Sequence, residues 1–210
     1  MLVSGRRPKL IRELNVAPQR DVRSEIASRG MIPLTGIEWD GEWAKLFFRA
    51  RLDRGYFESH VSARFGLPVV ADSVPDFAGP LAGILAGLDW AAEHAPAIPY
   101  LVSAPGDCPF LPRDLVEHLH QARLRDKVPL ACARSGDWRH PVIGLWPVSL
   151  RENLRSALIT DGLRKIEVWT ARHGVAIADW PSEPIDPFFN VNTPEDAAAA
   201  ERIATQSAEA

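Results

Sequence analysis

The sequence predicts an α/β fold of three layers, with a mostly parallel β-sheet between helices on both faces. From Phe65 onward, short apolar runs alternate with segments whose apolar residues recur at helical spacing. Several of these runs are apolar at successive positions, which is typical of strands that are covered on both faces. Strands that alternate with helices at these lengths indicate a parallel sheet with helical crossovers.

The composition is that of an ordinary globular protein and excludes several classes of function. Of the 210 residues, 46% are hydrophobic and 24% are charged, with a formal net charge of −3. This charge argues against a general nucleic-acid-binding protein. No stretch approaches the roughly 18 apolar residues of a membrane span, and the first residues lack the apolar core of a signal peptide. We therefore expect a cytoplasmic protein without nucleic-acid or membrane partners.

The first elements of the pattern lie between Leu67 and Arg125. Leu67–Ser73 is a short strand that runs into a turn, and Gly79–His94 has the apolar spacing of a helix. The buried-type strand "PYLVSAP" ends at Pro105. Pro112–Arg125 is predicted to be an amphipathic helix opened by its proline.

The later elements complete the alternation. Val128–Arg134, His140–Pro147 and Gly174–Trp180 are predicted strands, and two helices broken at Gly162 lie between the second and the third. The last helix has clear start signals: a threonine that can cap it, a proline in its first turn and two acids that face the positive end of its dipole. These residues are Thr193, Pro194, Glu195 and Asp196.

Residues 1–64 differ from the rest of the chain. They hold half of its arginines and follow neither the helical nor the strand period. The sequence therefore predicts a divergent N-terminal segment of uncertain fold over residues 1–64 and an α/β body over residues 65–206, within one domain.

Asp107 is the leading candidate for chemistry. It follows an apolar strand and lies between Pro105 and Pro109, which stiffen the loop and remove backbone donors. A carboxylate at the end of a central strand can bind Mg²⁺ together with substrate phosphates. The alternative is an aspartate that caps the helix beginning near Pro112.

Three further groups of residues are candidates for binding. Asp72 follows a strand, and Gly79 and Gly83 open a helix whose N-terminus could receive a phosphate. An Asx-turn acid and close helix packing are the alternatives. Asn190 and Asn192 alternate in an extended segment, so both amides project to one side, unless they serve a turn and a cap instead. Arg164 and Lys165 could meet a substrate phosphate or form a solvated face.

Six motifs together resemble one family. In chain order they are "VADSV", "GPLAGILAGL", "PGDCPFLPRDLV", "HPVIGLW", "LRKI" and "FFNVNTPEDA". In order and spacing they resemble the molybdenum cofactor guanylyltransferases over residues 65–203, about two thirds of the chain. The resemblance implies a Rossmann-like nucleotidyltransferase fold. It also implies transfer of GMP from Mg·GTP to the phosphate of the molybdopterin-bound molybdenum cofactor, with release of pyrophosphate.

The resemblance also implies a role for each candidate residue. Asp107 corresponds to the catalytic aspartate that binds Mg²⁺ in this family. The nucleotide would be bound by Asp72, Gly79, Gly83 and Asp107, and the pterin substrate by Asn190, Asn192, Arg164 and Lys165. Molybdoenzymes or cofactor-chaperone proteins are the implied protein partners.

The N-terminal segment departs from the family pattern. The family begins with a glycine-rich loop of the form LAGGxSxRMGxxK, whereas this chain begins "MLVSGRRPKLIRELNVAPQ". Either an altered reading frame replaces the loop, or the protein has diverged. Two alternative functions follow: a non-catalytic nucleotide- or pterin-binding protein, and a cytidylyltransferase for the same cofactor.

Overall fold

The computed structural model describes Ala44–Arg49, residues 70–74 and residues 79–209. Ala44–Arg49 and residues 206–209 are described by their backbone alone. The rest of the predicted N-terminal segment and the first residues of the predicted strand Leu67–Ser73 lie outside the described residues. Within the part of that strand that is described, Val70–Ser73 is irregular and pairs with no strand.

The described residues form one five-stranded sheet in the order β1-β2-β4-β3-β5. Its strands are β1 (Ala44–Arg49), β2 (Tyr100–Pro105), β3 (Leu130–Ser135), β4 (Trp138–Pro147) and β5 (Val175–Trp180). β1 pairs in parallel with β2, and β3 pairs in parallel with β5. β4 is antiparallel to both β2 and β3, so four strands point one way and one points the other. The predicted mostly parallel sheet is confirmed.

The direction of β4 follows from the short connection before it. Only Gly136 and Asp137 separate it from β3, and a parallel return would require a crossover of a dozen or more residues. Gly136 has a φ of 53°, in the left-handed region that glycine adopts without strain. β3 and β4 therefore form a hairpin.

The helices begin close to the predicted positions. They are α1 (Pro80–His94), α2 (Leu115–Asp126), α3 (Arg151–Ile159), α4 (Ile166–Ala171) and α5 (Pro194–Glu209), with a 3₁₀ turn at Val148–Leu150 before α3. α2 begins after Pro112 rather than at it, because Pro112–Leu115 first forms a turn closed by a 3.2 Å backbone hydrogen bond. Within the described residues, every helix is too short or too polar to span a lipid bilayer.

Two apolar clusters cover the two faces of the sheet. Successive side chains of a strand point to opposite faces, so two neighbouring residues of β2 belong to different clusters. Leu101 packs with α1 and α3 in the first cluster, and Val102 packs with α2 in the second. Trp146 and Trp169 are completely buried in the first cluster, and Phe188 is buried in the second. The three-layer α/β fold predicted from the sequence is confirmed.

Candidate functional site

The candidate residues lie at the edge of the sheet where the parallel strands end. β2 ends at Pro105, directly before the loop with Asp107, and β5 ends at Trp180, before the loop with both asparagines. Gly79 lies at the same edge, because α1 leads from it back to the start of β2. In open α/β sheets, ligands bind outside the carboxyl ends of the strands.

The structure joins the loop of Asp107 to the loop of the two asparagines. The backbone N–H of Val191 donates to the carbonyl oxygen of Asp107 over 2.9 Å. Val191 is buried, whereas Asn190 and Asn192 on either side of it are exposed. The predicted alternation is therefore present, and both amides lie on the solvent side of a segment that is fixed to the Asp107 loop. We call Asp107, Asn190 and Asn192 the Asp107 cluster.

Thr193 caps α5, so Asn192 is not the capping residue. The Thr193 hydroxyl accepts from the N–H of Asp196 over 3.2 Å, and the Asp196 carboxylate accepts from the N–H groups of Thr193 and Asn192 over 2.9 and 3.0 Å. These hydrogen bonds lower the pKa of Asp196, and the bond from the backbone N–H of Asn192 has the largest effect. The capping box thus fixes the backbone of Asn192 and excludes the alternative role for its side chain.

The loop of Asp107 is held from below by buried groups. The Cys108 thiol donates to the carbonyl of Phe188 over 3.6 Å. Burial, supported by the negative charges of Asp107 and Asp186, raises the pKa of Cys108, so this thiol stays protonated at neutral pH. Asp114, not Asp107, occupies the position before α2, which excludes helix capping by Asp107.

The oxygen atoms of the Asp107 cluster suit a hard cation. Mg²⁺ prefers oxygen ligands and is usually held by one or two carboxylates together with substrate phosphates. The carboxylate of Asp107 and the amides of the asparagine loop supply ligands of this kind. In the described ranges, no group of three or more histidines, cysteines and acids could hold a metal on its own. Mg²⁺ at such sites commonly takes phosphate oxygens of the substrate as further ligands.

The nucleotide candidates occupy the start of α1 and the segment before it. Asp72 is exposed, Gly79 is half-buried with a φ of 78°, and Gly83 is buried inside α1. The left-handed φ explains the glycine at position 79. Burial of Gly83 agrees with the alternative of close helix packing.

Arg164 and Lys165 lie in the exposed turn between α3 and α4. A Cβ atom at Gly79 would lie 3.8 Å from the carbonyl oxygen of Arg164, so this turn adjoins the start of α1. The Arg164 guanidinium donates over 3.0 Å to the carbonyl of Leu158, at the C-terminal end of α3, and over 2.9 Å to the carbonyl of Leu163 in the turn. The turn thus has a structural role besides any contact with substrate.

Asp186 and His140 lie beside the Asp107 cluster and were not among the predicted site residues. The Asp186 carboxylate accepts from the N–H of Phe188 over 2.9 Å. Nε2 of His140 lies 2.8 Å from the Ser135 hydroxyl, and its ring centroid lies 4.8 Å from that of Phe188. Burial lowers the pKa of His140, and the charge of Asp186 opposes this effect. The Asp-Pro pair at Asp186, a common turn signal, could have indicated the first of these residues.

Comparison with known proteins places the chain among nucleotidyltransferases. Residues 54–175 match the family model of the MobA-like NTP transferase domain. The chain is 62% identical to the molybdenum cofactor guanylyltransferase of Nitrobacter hamburgensis over 142 residues. This aligned region covers 68% of each chain. It is 45% identical over 144 residues to the protein of the same name from Mesorhizobium japonicum, over 67% of this chain and 69% of the relative.

A solved structure supports the same grouping. The molybdopterin-guanine dinucleotide biosynthesis protein A of Archaeoglobus fulgidus is 27% identical, with a TM-score of 0.54, over 77% of this chain and 78% of the other. This agreement covers the Rossmann-like arrangement of sheet and helices. The division of the chain at residue 64 stays a prediction.

Proposed function

This chain belongs to the MobA-like NTP transferase family, and we propose that it transfers GMP from Mg·GTP to the molybdopterin-bound molybdenum cofactor. Membership of the family implies a nucleoside triphosphate substrate. The observation that carries the proposal is the 2.9 Å hydrogen bond from Val191 to Asp107, which joins the proposed metal loop to the proposed acceptor loop. The proposal includes a cytoplasmic location and delivery of the product to molybdoenzymes or their cofactor chaperones.

The proposed reaction exchanges one phosphoanhydride bond for another. A phosphate oxygen of the molybdopterin forms a bond to the α-phosphorus of GTP, the bond from that phosphorus to the bridging oxygen breaks, and pyrophosphate leaves with the electron pair. Such transfers depend on positioning and on charge neutralisation more than on covalent help from the protein.

Each part of the edge has a place in this proposal. Asp107 would hold Mg²⁺, and the chemistry that the ion supplies when bound is neutralisation of phosphate charge. Asp72 and Gly79 would contact the nucleotide, the latter through the start of α1, where backbone N–H groups favour phosphate. Asn190 and Asn192 would orient the pterin by hydrogen bonds.

The remaining candidates have secondary roles in this proposal. Arg164 and Lys165 would add positive charge near the acceptor phosphate. Gly83 would act indirectly, since it is buried within α1. The roles of the Arg164–Lys165 pair and of Gly83 can be tested independently of the role of Asp107.

The test is calorimetric titration of the full chain with Mg·GTP and with Mg·CTP, followed by an assay of pyrophosphate release with the molybdopterin acceptor. We expect GTP to bind in preference to CTP, and Asp107→Asn to reduce transfer about 100-fold or more. Asp126→Asn is the matched control, because Asp126 pairs with Arg125 at the C-terminal end of α2, away from this edge. Unchanged transfer in Asp107→Asn would contradict the proposal.

A second function is favoured by the sequence of residues 1–64, which contains no segment of the form LAGGxSxRMGxxK. That loop would cradle the triphosphate with backbone N–H groups. Binding of Mg·GTP without pyrophosphate release would identify a non-catalytic nucleotide-binding protein. Preference for Mg·CTP would identify a cytidylyltransferase.

A further inference from the structure

A charged network lies directly behind the segment that carries Asp72. The hydroxyl of Ser73 donates to Oδ2 of Asp89 on α1 over 2.8 Å. The other carboxylate oxygen, Oδ1, accepts from the Arg155 guanidinium on α3 over 2.5 Å. Arg151 lies 3.7 Å from the same oxygen. A single carboxylate therefore connects the segment before α1 with the helix packed beside α1.

The arginines of this network are themselves held in place. Glu152 contacts Arg151 over 2.8 Å and Arg155 over 3.1 Å, so both guanidinium groups lie between two carboxylates. The hydrogen bond with Asp89 is the main cause that raises the pKa of Arg155, which stays charged. The side chain of Asp89 is 25% exposed, less than those of its partners. Arg151 and Arg155 thus orient the Asp89 carboxylate, which also accepts the hydrogen bond from the Ser73 hydroxyl.

The segment itself is fixed on both sides of its exposed aspartate. Val70 and Val74 pack on the apolar cluster beneath α1, and Ser73 is bound to Asp89. Asp72, between them, is directed to the surface. Within the described residues this irregular segment pairs with no strand, and these side-chain contacts fix the backbone on either side of Asp72.

We propose that Asp89 is a positioning residue for nucleotide binding, which acts by holding Ser73 and thereby Asp72 at the nucleotide. The inference rests on the proposed function and adds to it a determinant outside the contact surface. A partly exposed ion pair contributes little to stability. The benefit of the network is therefore expected in nucleotide affinity rather than in the melting temperature.

The test is a double-mutant cycle on Mg·GTP affinity, measured by calorimetry with the full chain. Ser73→Ala and Asp89→Asn are each made in the wild-type chain and in an Asp72→Asn background. In the wild-type chain we expect each to weaken Mg·GTP binding about 3- to 10-fold, the range of one hydrogen bond. In the Asp72→Asn background the same changes should have less than about a 2-fold effect, because coupled residues are not additive.

Two controls separate positioning from general damage. Ser73→Thr keeps the hydroxyl and should retain wild-type affinity. Ser156→Ala removes an exposed serine hydroxyl from α3, the helix of Arg155, and should also leave affinity unchanged. All variants should melt cooperatively at close to the wild-type temperature.

The outcomes distinguish this inference from the proposed function. If the wild-type chain binds Mg·GTP and loses affinity in Asp72→Asn, but not in Ser73→Ala or Asp89→Asn, only the positioning role is overturned. An equal loss in both backgrounds also overturns it, since Asp89 would then act independently of Asp72. If the wild-type chain binds no nucleotide, the proposed function fails, and the positioning role fails with it.

Discussion

The two parts of the candidate site are built in different ways. The Asp107 cluster is held by a backbone hydrogen bond from Val191 and by buried residues beneath it, with Phe188 only 2% exposed. The segment around Asp72 is held by an exposed hydrogen bond from Ser73 to Asp89 and by valines at its ends. Backbone and core contacts form only when the whole domain folds, whereas surface side-chain contacts can be changed one at a time.

This difference predicts that stability and function are coupled in one part and separable in the other. Damage to the core under the Asp107 cluster should destabilise the protein and displace the asparagines together. Loss of the contacts around Ser73 should alter binding in a protein that remains folded. Three further measurements test this contrast.

The largest effect is expected from Phe188→Ala. The Phe188 ring packs against Trp180, 5.2 Å between centroids, and against His140, so its removal leaves a cavity directly beneath the asparagine loop. Truncation of a buried phenylalanine costs about 3–5 kcal/mol of the free energy of unfolding. For a chain of this size we expect the melting temperature to fall by about 6–20 °C in a calorimetric scan.

Phe189→Ala is the matched control, because the adjacent phenylalanine is only partly buried, in a smaller cluster with Phe110. It should lower the melting temperature by clearly less. Equal losses for the two variants would contradict the idea that Phe188 anchors the loop.

A smaller effect is expected from Thr193→Ala. The variant removes the hydroxyl that caps α5 but leaves the buried contacts of the loop intact. Loss of an N-cap threonine costs about 1 kcal/mol, which lowers the melting temperature by about 2–4 °C. The pterin affinity should also fall, because Asn192 lies next to the frayed cap.

Thr205→Ala provides the comparison for this variant. Thr205 lies later in the same helix, and its hydroxyl donates to the Glu201 carbonyl one turn earlier rather than to a helix end. We expect no loss of stability or of pterin affinity from it. A loss as large as that of Thr193→Ala would indicate a general sensitivity of α5 rather than a capping effect.

Local signals were sufficient for most of the fold. Proline, glycine and apolar spacing predicted α1, α5 and strands β2 and β5 within one or two residues at their starts. The antiparallel direction of β4 was not predicted. The direction of β4 depends on the two-residue turn at Gly136 and Asp137. The apolar patterns of β3 and β4 do not reveal it, because parallel and antiparallel strands can have the same pattern. Strand β1 also escaped prediction, because aromatic and charged residues interrupt any regular period there.

Candidate site residues could be proposed from the sequence where they are close together or belong to a motif. Asp107 and the two asparagines follow strands and carry recognisable neighbours. Ser73 and Asp89 carry no such signal, since their contact depends on how the segment before α1 folds back on the helix. Side-chain pairings of this kind arise from tertiary packing, which cannot be predicted from the spacing of apolar residues in the sequence.

The smallest effect concerns pH and again distinguishes the Asp107 cluster. Burial lowers the pKa of His140 in the folded chain below the ordinary value of 6.5 that it has when unfolded. The unfolded chain therefore binds more protons, so stability should decrease as the pH falls below about 6.5, until the folded pKa is reached. In His140→Gln this contribution is absent, and the fall in melting temperature between about pH 7.5 and 5.5 should be smaller than in the wild type. Burial also lowers the pKa values of His120 and His173, so the pH dependence should be reduced rather than abolished. An unchanged difference in melting temperature would show that His140 is as accessible to protons in the folded chain as in the unfolded one, and that the region beneath the asparagine loop is less closed than its packing against Phe188 indicates.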